Sequence, residues 1–336
     1  MIGRVRRAAL LLLEAARSTR VPHDPRIAQA LKELAAHSAG QRPADGIERY
    51  LRERPALARL ELTQDWHRDT ASGELRLRYQ SSLVAPGCLR LVAAPPGRGT
   101  LVFLHGSLAS ADDALGGRER PGPVAELARD AGLGLACWDW PFQSERGSGG
   151  LYSGLRLHIS GEREYARILP ALGTSLWREF VAELRFALRQ IRRQVGEGSP
   201  LHVVGSSMGG GFAYAAPLLG VEIASAAAIG SCARVADLLA EGATRTHGFF
   251  FYPLDGLRYF DLEDIVDRVL ARGTRLLILH GDRDWGCRES TRRALRTHGV
   301  RTGRVPTIEV LPDHGHEFSD AIRARVLAFL REAEPR

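Results

Sequence analysis

The sequence is poor in lysine and in long apolar runs, and each shortage argues against a class of protein. Lys32 is the only lysine among 46 basic residues, so the net charge of +7 comes from arginines, which are spread evenly along the 336 residues. No basic run is interleaved with aromatic residues, which argues against nucleic acid as a partner. No apolar stretch approaches the length of a membrane-spanning helix, so no integral membrane segment is predicted.

Cysteine is also scarce. The four cysteines are Cys88, Cys137, Cys232 and Cys287, and no two of them are spaced as C-x-x-C. Such spacing is typical of zinc sites and redox motifs, so neither a metal site nor a disulfide framework is predicted. Cys137 and Cys232 lie in apolar segments, where free thiols usually pack as small hydrophobic residues. The sequence therefore gives no indication of a metal ion or an organic cofactor.

The N-terminal segment has features of a short amphipathic helix. Its arginines are followed by an apolar run, but Glu14 interrupts that run before it reaches the length of a signal peptide. The apolar residues within 5–16 instead follow the helical period. We therefore expect a cytoplasmic protein, with export through the Arg6-Arg7 pair as the alternative. Residues 1–58 as a whole predict two or three short helices that form an N-terminal extension.

Beyond the extension, the pattern becomes that of a sheet. Alternating apolar and polar residues within 59–91 predict antiparallel strands, and the continuous apolar run at 99–105 predicts a parallel strand buried on both faces. Strands then alternate with helices, which predicts a doubly wound, mostly parallel α/β sheet with ligands at the carboxyl ends of its strands. The later strands are predicted at 133–138, 221–230, 274–280 and 307–311, and the helices at 121–131, 174–194, 261–271, 288–297 and 321–331.

A glycine-rich turn joins the strand that starts at Leu201 to a helix that starts at Met208. Residues 205–209 fit G-x-S-x-G, in which the serine lies on a strained turn and its neighbours must lack side chains. Ser207 is then held out of the sheet as a nucleophile, and the positive end of the helix favours a developing oxyanion. The alternative is a glycine-rich turn that contains a serine by chance, since the pattern is short.

Two further strand ends carry ionisable residues. Asp282 and Asp284 follow one strand, and His314 and His316 follow the last. Together with Ser207 they give the chain order serine, carboxylate, imidazole, which are the groups of nucleophilic acyl transfer. The residues alone leave open which aspartate and which histidine take part. A metal site at the two histidines is disfavoured, because no third ligand of suitable spacing is evident.

With these motifs the chain resembles the α/β-hydrolase superfamily over about residues 75–333. The shared motifs follow one another in the family's order, and four in order are far more specific than one. A weaker similarity, in residues 139–147 and 205–210, is to the esterase and dienelactone-hydrolase-like branches. The motifs are His105-Gly106, Gly205-x-Ser207-x-Gly209, His280-Gly281-x-x-Asp284 and Gly315-His316.

The resemblance implies a role for each member of the triad. Ser207 is the nucleophile, His316 the base, and Asp284 the acid that orients the imidazole. The family's spacing after its histidine favours Asp284 over Asp282. The glycine before His316 favours that histidine over His314, for which the alternative role is a loop residue that bonds the backbone.

The resemblance also implies an oxyanion hole made of backbone N–H groups. Its donors are expected at Met208 and Ser107, with Leu108 as the alternative to Ser107. His105 is expected to brace the turn with its ring rather than to take part in the chemistry.

We divide the chain into a helical N-terminal extension, 1–58, and an α/β-hydrolase domain, 59–336, with insertions at about 141–173 and 232–260. Aromatic residues in the second insertion predict a short lid or a pocket wall over the active site, with simple packing on the sheet as the alternative. The predicted pocket residues are Leu108, Phe142, Phe249, Phe250, Phe251 and Tyr252.

The function implied by the resemblance is a serine hydrolase that cleaves a small-molecule carboxylic ester through an acyl-enzyme, without cofactor or metal. Hydrolysis of a thioester, lactone, amide or carbon–carbon bond, and acyl transfer, are alternatives that use the same triad. A non-catalytic binding protein on the same scaffold is an alternative of another class. Such proteins typically lose a member of the triad, and this sequence keeps all three.

Overall fold

A computed structural model describes most of the predicted hydrolase domain. Much of the predicted N-terminal extension and of both predicted insertions lies outside the described residues. Within the described part of the chain, no helix is long and apolar enough to cross a membrane. The described residues are 41–53, 56–70, 72–106, 109–116, 122–141, 174–240 and 254–333, with Gln29, Glu33 and Leu169.

The described residues form one sheet of nine strands. These are β1 (Leu60–Arg68), β2 (Leu75–Ser81), β3 (Gly87–Val92), β4 (Thr100–Leu104), β5 (Gly134–Cys137), β6 (Leu201–Ser206), β7 (Ser225–Ile229), β8 (Arg275–Gly281) and β9 (Thr307–Leu311). Their order across the sheet is β1-β2-β3-β5-β4-β6-β7-β8-β9. The pairs β1–β2, β2–β3 and β3–β5 are antiparallel, and all pairs from β5 to β9 are parallel.

The central strands are apolar because both of their faces are buried. Every residue of β4, β5 and β7 is buried. Successive side chains of a strand point to opposite faces, so Val102 and Leu104 of β4 pack in one core cluster while Leu101 and Phe103 pack in the other. In β2, by contrast, buried residues alternate with exposed ones toward the end of the strand.

Helices cover both faces of this sheet. Buried residues of α1, α4 and α7 belong to one core cluster, and those of α2, α3 and α9 belong to the other, as in a doubly wound sheet. The helices in the described residues are α1 (Gly46–Glu53), α2 (Ala111–Leu115), α3 (Pro123–Ala131), α4 (Leu176–Val195), α5 (Met208–Ala213), α6 (Val235–Ala240), α7 (Leu262–Ala271), α8 (Glu289–Thr302) and α9 (Asp320–Ala333).

Two buried glutamates of α4 tie the antiparallel strands to this helix. Glu179 accepts hydrogen bonds from the N–H groups of Leu57 and Ala58, at 2.9 and 3.0 Å. Glu183 accepts one from the hydroxyl of Tyr79, at 2.5 Å. Bonds of this kind offset the cost of burying a charged group. They fix the segment that enters β1, and the strand β2, against α4.

The predicted parallel sheet is confirmed, with two differences in detail. The strand predicted at 221–230 is confined to β7, because Val221 and Ile223 pack in the core before pairing with the neighbouring strands begins. The helices α2 and α6 were not predicted, because five or six residues are too few to show the helical period. A capping box between Ser110 and Asp113 marks the start of α2 and was a usable signal.

Candidate active site

Ser207 occupies the turn between β6 and α5 in a conformation that few residues adopt. Its φ is 54° and its ψ is −118°, which costs energy for a residue other than glycine. Its N–H donates to the carbonyl of Ile229 at 2.8 Å, which holds the turn against β7. A Cβ at Gly205 would lie 2.1 Å from the carbonyl oxygen of Gly209, and one at Gly209 would lie 1.9 Å from that of Leu104. Both positions therefore require glycine.

Side chains from three strand ends form a continuous chain of hydrogen bonds. Nδ1 of His316 lies 2.7 Å from Oδ1 of Asp284, and an ionised carboxylate can only accept, so Nδ1 donates. In the neutral ring Nε2 is then the acceptor, and the hydroxyl of Ser207 donates to it at 2.8 Å. The imidazole is therefore held in the tautomer that can take a proton from the serine.

The register of the parallel strands explains why these side chains meet. Ser206 at the end of β6 lies opposite Ile229 of β7, which lies opposite Leu279 of β8. Gly281 at the end of β8 lies opposite Leu311 at the end of β9. The segments that follow these strands therefore start at one edge of the sheet, as expected for the carboxyl ends of parallel strands.

Backbone groups enclose the carboxylate and one edge of the imidazole. The side chain of Asp284 is 1% exposed and that of His316 is 19% exposed. The N–H of Gly286 also donates to Oδ1 of Asp284, at 2.7 Å. A Cβ at Gly230, whose φ is 61°, would lie 3.1 Å from Oδ2 of Asp284 and 3.2 Å from Cε1 of His316. These glycines leave just enough space for the two side chains.

One aromatic ring lies on the imidazole itself. The ring centroids of Trp285 and His316 are 4.4 Å apart, and the planes are inclined by 38°. Trp285, Gly230 and Gly286 were not identified from the sequence. The available signals were that Trp285 and Gly286 directly follow Asp284, and that Gly230 directly follows the strand that lies between those of the serine and the aspartate.

Asp282 and His314, the alternatives to Asp284 and His316, lie outside this chain of hydrogen bonds. Asp282 is exposed, and its N–H donates to the carbonyl of Leu311 at 2.9 Å. The ring of His314 donates through Nδ1 to the carbonyl of Pro312 at 2.7 Å. The structure therefore brings Asp284 and His316, rather than their rivals, into contact with each other.

His105 and His280, which lie at the ends of β4 and β8, share a single local arrangement. His105 donates through Nδ1 to the carbonyl of Gly106 at 2.8 Å, and His280 donates in the same way to Gly281 at 2.7 Å. Nε2 of His105 accepts from the N–H of Trp140 at 3.3 Å. Burial lowers the pKa of both histidines, because it disfavours the charged ring. Each ring therefore braces the turn that follows it while neutral.

The predicted oxyanion hole and pocket are only partly within the described residues. Met208 is the first residue of α5, directly after Ser207. A Cβ at Gly106 would lie 3.1 Å from Cβ of Ser207, so the segment after β4 passes close to the serine. The remaining predicted donor and pocket positions, and most of the predicted lid, lie outside the described residues. They are Ser107, Leu108, Phe142, Phe249, Phe250, Phe251 and Tyr252.

The described residues contain four free thiols and no group of side chains suited to a metal ion. The four cysteines are free, and burial raises the pKa of Cys232 to about 12 and also raises that of Cys137 and Cys287. These thiols are therefore protonated at neutral pH. In the part of the chain that the structure describes, no three His, Cys, Asp or Glu side chains are grouped as a metal ion would require.

Comparison with known proteins identifies the fold. No protein-family model and no curated protein matches the sequence. Acetyl xylan esterase 1 from Thermoanaerobacterium sp. JW/SL YS485 is 16% identical, with 88% of this chain and 95% of that chain covered and a TM-score of 0.52. An acetyl xylan esterase from Paenibacillus sp. R4 is 16% identical, with 88% and 98% covered and a TM-score of 0.49. TT1662 from Thermus thermophilus is 23% identical, with 84% and 100% covered and a TM-score of 0.47. The first likeness, taken with the sheet order, confirms the α/β-hydrolase fold that the sequence predicts.

Proposed function

We propose that this chain, which has the α/β-hydrolase fold, is a serine hydrolase that cleaves a carboxylic ester through an acyl-enzyme. The observation that supports this function best is the hydrogen-bonded chain from Oγ of Ser207 through His316 to Asp284. A buried carboxylate, an imidazole in a fixed tautomer and a strained serine at a strand end form a working arrangement for nucleophilic catalysis. We place the activity in residues 59–336, with 1–58 as an extension.

The geometry suggests how each proton moves. Oγ of Ser207 attacks the carbonyl carbon while its proton passes over 2.8 Å to Nε2 of His316. Asp284, bonded to Nδ1, stabilises the imidazolium that forms. The imidazolium then protonates the leaving alcohol, and the acyl group remains on the serine. Water, deprotonated by the same imidazole, releases the acid in the second half of the reaction.

We assign the oxyanion to two backbone N–H groups. Met208 supplies one, because it directly follows the nucleophile at the start of α5. Ser107 supplies the other, and the close approach of Gly106 to Ser207 supports this assignment. The proposed reaction uses no metal ion or organic cofactor, since the triad supplies both the nucleophile and the base.

The ester is the first of several electrophiles that this triad can attack. The same three residues can catalyse the hydrolysis of thioesters, lactones, amides or carbon–carbon bonds. They can also catalyse acyl transfer to an acceptor other than water. One protein of similar fold is an acetyl xylan esterase, so acetyl esters are the first substrates to test. Rates on a panel of p-nitrophenyl esters of increasing acyl length, compared with rates on the matching acyl thioesters, distinguish an esterase from a thioesterase.

The nucleophile is tested with a fluorophosphonate probe and a pair of neighbouring serines. We expect the probe to label Ser207, and the Ser207→Ala variant to lose about 10⁶-fold in kcat for p-nitrophenyl acetate. Ser206→Ala is the matched control, because Ser206 is the preceding residue and its side chain is not in the hydrogen-bonded chain; it should stay within about 3-fold of wild type. Labelling of another residue, or full activity in Ser207→Ala, contradicts the proposal. No labelling and no hydrolysis favours the binding protein.

A further inference from the structure

Trp285 combines exposure with a direct contact to the base of the candidate triad. The residue is 51% exposed, which is unusual for so large an apolar side chain. Its ring lies on that of His316 with centroids 4.4 Å apart and an inclination of 38°, which is a tilted stacking arrangement. The edge of the imidazole is close to two glycines, since a Cβ at Gly230 would lie 3.2 Å from Cε1 of His316 and one at Gly286 would lie 3.1 Å from it.

The backbone on both sides of Trp285 is fixed. The N–H of Gly286 donates to the carboxylate of Asp284 at 2.7 Å, and the N–H of Cys287 donates to the carbonyl of Asp284 at 3.3 Å. The N–H of Arg288 donates to the carbonyl of Cys232 at 3.0 Å, which anchors the segment to the loop after β7. The indole is therefore presented to the imidazole by a turn that also holds the carboxylate.

We propose that Trp285 is a positioning residue that stacks on the imidazole of His316, limits its tilt and favours its charged form during turnover. This inference rests on the proposed function, because it assigns His316 as the base. The imidazole turns about its Cβ–Cγ bond, and its hydrogen bonds at Nδ1 and Nε2 oppose that rotation. The indole on its face restrains the same rotation further, because a tilted imidazole would collide with it. The face of an indole also attracts a cation, and the imidazolium is the cation that forms in each half of the reaction.

The charged groups around the imidazole stay constant when Trp285 is replaced. Asp284 is bonded to it, and Gly230 after β7 and Gly286 after β8 bring no charge. Arg283 pairs with Asp313, and a carboxylate oxygen of Glu317 accepts from the N–H of Gly315. The titratable or charged residues on the two loops, besides His316, are Asp282, Arg283, Asp284, Cys287, Arg288, Asp313, His314 and Glu317.

The test compares Trp285→Phe, Trp285→Leu and Trp285→Ala by kcat and KM for p-nitrophenyl acetate from pH 5 to 9. Leucine keeps an apolar cover but has no aromatic face, so the comparison of Phe with Leu isolates stacking. We expect Trp285→Phe to stay near wild type, and the Leu and Ala variants to lose about 3-fold in kcat with little change in KM. The acid limb of kcat/KM should lie about half a pH unit lower in Trp285→Leu than in Trp285→Phe.

Three results would overturn the inference. The first is an acid limb at the same pH in the Phe and Leu variants. The second is an unchanged kcat in Trp285→Leu. The third is a rise in KM without a fall in kcat, which assigns the indole to substrate binding. Thermal melting of each variant checks that it is folded.

The Ser207→Ala variant separates the two proposals. If it stays active, the proposed function fails whatever the Trp285 variants do. If it is inactive, the Trp285 results bear on the role of the indole alone.

Discussion

At the scale of the residue, the candidate site depends on which of two nearby side chains points inward. Asp282 and Asp284 are two positions apart in the turn after β8, yet one is exposed and the other buried against His316. His314 and His316 are both half-buried and differ in their partners: His316 bonds Asp284 and Ser207, whereas His314 bonds the carbonyl of Pro312. Residue type and spacing alone left both pairs open, and the contacts separate them.

These pairs supply matched variants. We expect His316→Ala to lower kcat about 10³-fold or more, and His314→Ala to stay within about 3-fold of wild type, because only the first removes the proton acceptor of Ser207. In the same way, Asp284→Asn should lower kcat strongly, whereas Asp282→Asn should have a mild effect. Steady-state kinetics on one ester measures all four. The double variant Ser207→Ala/His316→Ala should be scarcely worse than either single change. A larger loss from His314→Ala would assign the base to His314.

The residues predicted from the sequence and those missed differ in kind. Ser207, Asp284 and His316 were predicted as candidates because a reactive side chain next to a glycine at a strand end has a recognisable pattern. Gly230 contributes by the absence of a side chain, and Trp285 by the direction in which a turn points its ring. No sequence motif indicates either role, because each role depends on the distance between segments that are far apart in the sequence.

At the scale of the element, apolar runs predicted the parallel strands well because those strands are buried on both faces. Short helices and buried charges were harder to predict. α4 follows the helical period, but the period does not show that Glu179 and Glu183 point inward, where their partners come from β2 and the segment before β1. A buried glutamate is recognisable only when its donors are known.

The role of Glu179 can be measured by stability. Glu179→Ala leaves the N–H groups of Leu57 and Ala58 and the hydroxyl of Thr174 without their acceptor. We expect the free energy of unfolding to fall by about 2–4 kcal/mol, because each lost bond to a charged group costs about 1.5–3 kcal/mol and the effects are not additive. Glu197→Ala, whose side chain is 91% exposed, is the control and should change stability by less than about 0.5 kcal/mol. Urea denaturation measures both, and equal effects would contradict the assignment.

At the scale of the whole molecule, one sheet with two covered faces explains both the core and the position of the site. Both the fold class and the edge that carries the reactive residues were predictable, because they follow from alternating strands and helices. The same burial places neutral imidazoles at the ends of β4 and β8, where His105 and His280 brace the turns. Stability and the protonation of these rings are therefore linked.

Acid should destabilise the protein through these two histidines. Burial lowers their pKa in the folded protein, so between that value and the unfolded value of about 6.5 the unfolded chain binds more protons. The free energy of unfolding should then fall as the pH drops below about 6.5, by up to about 1.4 kcal/mol per pH unit for each histidine. Denaturant titrations at pH 5.5 and 7.5 measure the fall. His280→Gln should reduce the fall, and a wild-type stability independent of pH would contradict the prediction.

The long separation between the members of the hydrogen-bonded chain has a consequence for folding. Ser207 and His316 are 109 positions apart, and His316 and Asp284 are 32 positions apart. Parallel pairing over such separations closes large loops before it gains contacts, and it is slow for that reason. During refolding, β9 must dock on β8 before His316 can reach the serine. Reactivity of Ser207 toward an activated phosphonate should thus return after most of the secondary structure has formed, and it reports that the last strand of the sheet is in place.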